Sequence, residues 1–167
     1  MQPLQAPDSH RLNAALGWLG LGNPADARVE LDAIPPAQQT HPAVLEARWL
    51  LCVHEKDWRA ALAVAEKERA AAPDDCAGWL HRAYALRRLP GGGLTQAWDA
   101  LRPAAEKFPR EPVVAFNLAC YACQMDQSDA ARQWLKRAMK VGGMEAIKKM
   151  ALADEDLRPL WPEIPDW

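Results

Sequence analysis

Apolar and small residues recur three or four apart along most of this chain, and turn-forming residues interrupt them at regular intervals. The clearest stretch runs from Trp79 to Pro109. Trp79, Ala83 and Leu86 precede the run Pro90-Gly91-Gly92-Gly93, and Ala97, Leu101 and Ala104 follow it. Spacing of this kind on both sides of a Gly/Pro break predicts a helix, a tight reversal and a second helix packed on the first. Ala83 and Ala97 are short side chains, which two helix axes need where they approach closely. Pro109 cannot continue the second helix and ends the unit.

The unit recurs. Stepping back 36 residues from Ala97 reaches Ala61, 34 more reaches Ala27, and 34 forward reaches Ala131. Leu31, Leu101 and Leu135 follow three of these alanines at four residues, and Ala65 follows the other. Ala15, Ala83 and Ala119 hold the small-residue slot of the first helix, and Pro73 and Pro109 close two units. Copies at a period near 34 residues predict an array of helix pairs. The second copy departs from this. Strict spacing places Trp49 in its small-residue slot. A one-residue shift places Ala47 there, with an extra residue in the turn after His54. The shifted register is the expectation, because an indole would hold the helices apart.

Taken in order, residues 1–7 are expected to be extended. Asp8 or Ser9 caps a first helix to about Leu21, and Asn23 caps a second that begins at Pro24. Later caps fall at Asp57, at Asp74 or Asp75, and at Ser128, and Pro112 opens the seventh helix. Pro103 lies inside the sixth helix and is expected to bend it. Trp18 and Trp79 fall in inward-facing slots, and Trp98 and Trp134, soon after turns on second helices, are expected to pack between repeats. Met144 to Leu152 forms one more amphipathic helix, buried through Ile147 and Met150 or Ala151, with Trp161 and Trp167 pinning the end of the chain.

The pattern resembles the tetratricopeptide repeat (TPR) family. Its motif, Trp-x2-Leu-Gly-x2-Tyr…Ala-x3-Phe…Pro, is partly met by Trp79, Ala83, Leu86, Ala97, Leu101 and Pro109, and Asn117, Leu118 and Ala119 match its Asn-Leu-Gly core. The resemblance covers about residues 9–143. It implies an all-α, right-handed superhelix (α-solenoid) of about four helix pairs, at 9–41, 42–75, 76–110 and 111–143. Residues 1–8 form an extension, and 144–167 form a capping helix and tail that cover the last pair. It also implies a non-enzymatic protein-interaction module that binds a peptide or partner helix in a concave groove lined by first helices. The groove positions would include Asn13, Leu16, His81, Tyr84, Arg87, Arg88, Phe116, Asn117, Cys120 and Gln124, with Glu46 and Leu50 depending on the register of the second pair. Some family members grip a peptide carboxylate with lysines and asparagines over three repeats. Asn13 and Asn117 match, but the lysines are missing, so that activity is not expected here.

Composition narrows the function. A chain of 167 residues fits one domain, and a net charge of −2 gives no reason to expect nucleic acid or an anionic membrane as partner. No apolar stretch is long enough to span a bilayer. The first seven residues lack the basic and apolar parts of a signal peptide, so a cytoplasmic setting with reduced thiols is expected. Cys120-x-x-Cys123 puts two thiols one turn apart on a helix, without the strand-to-helix context of a redox motif. A zinc site needs further ligands, and Cys52, Cys76 and His81 are the candidates by type. Packing is the expected role of the pair, and no metal or cofactor is expected. His10, His41, His54 and His81 carry no catalytic pattern. The triple glycine lacks the Lys-Ser/Thr of a phosphate-binding loop. The resemblance implies a protein or peptide as partner, and the chain is expected to be a monomer or weak homo-oligomer. Two alternatives stay open: a self-associating structural scaffold, and a cysteine-based metal-binding or redox-responsive protein.

Overall fold

The computed structural model describes residues 3–167. Among them the regular structure is entirely helical, without a strand. The helices are α1 (Asp8–Gly20), α2 (Pro24–Asp32), α3 (Pro42–His54), α4 (Trp58–Ala71), α5 (Ala77–Arg88), α6 (Leu94–Leu101), α7 (Ala104–Lys107), α8 (Pro112–Gln124), α9 (Ser128–Gly142) and α10 (Met144–Leu152). Short 3-10 turns lie at Pro36–Gln38, Glu155–Leu160 and Ile164–Asp166. The chain divides into two compact units rather than one, the first ending at Ala85 and the second spanning Leu86–Trp167.

In the first unit, α1 packs on α2 and α3, and α3 on α2 and α4. The core of the α1–α2 pair is Leu12, Ala15, Leu19, Ala27, Leu31 and Ile34, joined by Val44, Ala47 and Leu51 of α3. At the reversals after α1, α3 and α8, Gly22 at φ 74°, Lys56 at 57° and Asp126 at 59° have left-handed backbone. In each case the next amide reaches back to close the helix, Asn23 to Trp18, Asp57 to Cys52 and Gln127 to Ala122. Gly22 and Lys56 stand 34 residues apart, so the turn after His54 contains no extra residue. The shifted register of the second pair is thereby corrected. Trp49 occupies the slot that alanine holds elsewhere, and it is 7% exposed. The slot admits an indole because the buried residues clustered with it, Ala61, Ala65 and Ala85, are alanines. Ala47 is also buried, on the side of the first pair.

Capping follows the sequence in part. Asn23 Oδ1 accepts from the amide of Asp26, Asp57 Oδ1 from Ala60, and Asp75 Oδ1 from Ala77. Neither Asp8 nor Ser9 caps α1, which begins at Asp8 itself, and Ser128 is the first residue of α9 with no capping bond. Gly78 lets α5 approach α4: a Cβ there would stand 2.8 Å from the backbone nitrogen of Arg69.

In the second unit, Pro103 does more than bend its helix. It lacks the amide that would continue the ladder, and α6 stops at Leu101 before α7 begins at Ala104. Ala97, Ala119 and Ala131 are fully buried. Trp98 and Trp134 meet edge to face at 6.1 Å. Ile147 and Ala151 are the buried side of α10, while Met150 is exposed. Trp18, expected inside, is 37% exposed, and Trp79 is half-buried beneath the Arg69 guanidinium, 4.0 Å from its ring.

Candidate functional site

The first helices carry the residues singled out for binding. In the first unit, Asn13 and Leu16 lie three apart on α1 and are both exposed, Leu16 at 40%. His81 and Tyr84 converge on Trp49. The imidazole stacks on the indole at 3.7 Å and 8°, and the phenol meets it edge on at 5.6 Å. His81 Nδ1 lies 2.7 Å from Oε2 of Glu68, a charged residue only 7% exposed. A burial of that depth requires such a partner, because an unpaired carboxylate out of water is costly. His81 and Tyr84 thus belong largely to the packing around Trp49. Beside them a cavity of about 210 Å³ opens between the starts of α3 and α5 and the end of α4, lined by Pro42, Glu46, Glu68, Asp75 and Gly78.

In the second unit the face of α8 is covered by the segment after α10. Leu157 and Ile164 are fully buried and Leu160 is 1% exposed, in one cluster with Phe116, Cys120 and Cys123. Arg87 donates to both oxygens of Asp156, at 2.5 and 3.0 Å, and these bonds hold its guanidinium above its ordinary pKa. Gln124 Nε2 donates to the backbone carbonyl of Asp156 at 3.1 Å. Arg132 forks Glu163 at 2.8 and 2.7 Å, which draws the glutamate below its usual range. Trp161 Nε1 donates to the Ala151 carbonyl at 2.9 Å, and the Lys136 ammonium lies 4.8 Å from the Trp167 ring. Asn117 turns its amide back to the carbonyl of Val113 on its own helix. Arg88 is half-buried. Arg87 and Gln124 therefore meet on one segment, while Phe116 and Cys120 are buried in the same cluster.

Cys120, Asp154 and Asp156 place three ligand atoms within 4.8 Å of one another, close enough to share a metal ion. Burial pushes the Cys120 thiol up, and the carboxylates of Asp154 and Asp156 push it further. The Sγ instead contacts Asp154 Oδ2 at 3.7 Å. Both oxygens of Asp156 serve Arg87, so a guanidinium already balances the charge there. Burial likewise raises the Tyr121 phenol to about 12.

Sequence reasoning passed over Arg132, Asp156 and Glu163. The one available signal was a repeated pair seven residues apart, Asp156-Leu157 and Glu163-Ile164, an acid followed by an aliphatic residue.

No family model matches the chain, and no curated protein matches it. Among solved structures, one described as "MamA RS-1 ArsTM double mutant" is similar over 83% of this chain and 77% of its own, with a TM-score of 0.65 at 18% identity. MamA is a TPR-like helical solenoid, and the likeness at this identity is one of fold alone: this chain too is all-helical. No helix is long and apolar enough to cross a membrane.

Proposed function

We propose that the four helix pairs α1–α2, α3–α4, α5–α6/α7 and α8–α9 are four repeats of a non-enzymatic scaffold. Its first helices bind an extended peptide or a partner helix of another protein. The proposal includes a cytoplasmic setting in which Cys120 and Cys123 stay reduced. The observation that carries the reading is on α1. Leu16, an apolar side chain 40% exposed, stands beside the exposed amide of Asn13 on a first helix. An apolar anchor next to a group that both donates and accepts is what a peptide backbone needs from its receptor.

The test uses a partner purified by affinity from source-cell extract on the intact chain. Its binding is then measured to the wild type, to Asn13→Ala with Leu16→Asp, and to Val29→Asp. Val29 is 66% exposed on the second helix α2 and controls for general apolar adhesion. Loss of binding in the α1 variant and retention in the Val29 variant is the expected result. The reverse pattern would sink the reading.

A further inference from the structure

The segment 154–167 forms no helix pair. Its first 3-10 turn lies against α8 and its second against α10, with a turn at 161–163 between them. Its anchors are of three kinds. Carboxylates of Asp156 and Glu163, seven residues apart, each receive an arginine fork, from Arg87 and Arg132. A main-chain carbonyl, that of Asp156, is read by the Gln124 amide. Three aliphatic side chains, Leu157, Leu160 and Ile164, are buried. A backbone handle, charged forks at fixed spacing and apolar anchors beside them are the means by which a groove recognises a short partner segment. The forks stay within reach of solvent: side-chain exposure is 23% and 27% for Arg87 and Asp156, and 34% and 38% for Arg132 and Glu163. A competing carboxylate can therefore reach either guanidinium before the aliphatic anchors part.

We propose that the α8 face flanked by Arg87 and Arg132 is a binding site for a partner segment of the pattern acid–apolar–x–x–apolar–x–x–acid–apolar, and that residues 156–164 of this chain are its resident occupant, displaced when such a segment binds. The proposal rests on the interaction-module reading above and deepens it by naming the partner's chemistry. Asp156-Leu157, Leu160 and Glu163-Ile164 supply the pattern itself. A basic, amide-bearing rim selects an acidic segment over a basic one by charge complementarity.

The probe is a synthetic peptide of residues 154–167 with a fluorophore, titrated into the full chain. Asp156→Ala with Glu163→Ala disables the resident segment, and the peptide should bind this variant at least about tenfold tighter than wild type. Adding Arg87→Glu should remove the gain. A peptide with lysine at the position of Asp156 should restore it on the Arg87→Glu chain. A purely structural role for Arg87 would give no such exchange. Equal peptide affinity for wild type and the disabled variant overturns the proposal. If the disabled variant does not fold, the wild type decides by hydrogen exchange. Faster exchange at the Leu157, Leu160 and Ile164 amides under saturating peptide supports displacement, and unchanged exchange overturns it. A doubling of mass in sedimentation that the peptide suppresses would make the occupant a second copy of this chain, and would also overturn the partner assignment. Failure here leaves the α1 test standing, because none of these variants touches Asn13 or Leu16.

Discussion

Truncating Trp49 to alanine probes the most unusual packing in the first unit. The indole is 7% exposed, faces Ala61, Ala65 and Ala85, and stacks on His81 at 3.7 Å. Alanines end at Cβ and cannot swing into the space an indole leaves, so the site collapses little. A large aromatic lost under those conditions costs roughly 3–5 kcal/mol. In a unit of this size each kcal/mol lowers the melting midpoint by about 4–8 °C, so a fall of about 12 °C or more is expected. The His81 ring also loses its stacking partner beside the buried Glu68 carboxylate, which adds to the cost. Trp18→Ala is the matched control. At 37% exposure that substitution should cost less than about 1 kcal/mol. Urea and thermal denaturation followed by far-ultraviolet circular dichroism measure both. Equal small losses for the two tryptophans would refute the strict register of the second pair and the packing derived from it.

Other contacts give four more expected outcomes. Ala97→Leu and Ala131→Leu insert bulk where both side chains are fully buried and should each destabilise by about 1–3 kcal/mol; unchanged melting would reject the alanine register. Cys120, buried and held protonated, should be alkylated at pH 8 at least about tenfold more slowly than the half-buried Cys76. The protein should carry no stoichiometric zinc, and Cys120→Ala with Cys123→Ala should keep full helicity. Metal lost in that double variant would contradict this. Glu163 is held below its ordinary range by Arg132. Its contribution is therefore present at neutral pH and lost as pH falls through the lowered value, so the Ile164 amide resonance should shift in acid. A midpoint at or above the ordinary glutamate range, about 4.3, would contradict the sign.

The alanine slots and the helix reversals were legible because both are local. A small side chain at each close approach, and Asn23 or Asp57 ahead of a helix, leave marks in a few neighbouring letters. Trp49 was misjudged because a single-helix argument cannot see that three alanines from elsewhere make room for an indole. Pro103 was read as a bend, yet the missing amide falls where two short helices serve as well as one. The α8 site was only half legible. Arg87 and Gln124 were named as groove residues, but their partner Asp156 lies 69 and 32 residues away. Nothing in a periodic pattern pairs positions at such separations. Phe116 and Cys120 were assigned to an open groove because helix phase shows which face they share and not what covers it.

Photo-crosslinking from single positions of the intact chain tests the interaction reading most directly. A benzophenone side chain at Leu16, on a first helix, should capture the affinity-purified partner. The same group at Val29, on a second helix and more exposed, should not. Capture from Val29 with none from Leu16 would contradict the claim that the first-helix faces hold the ligand.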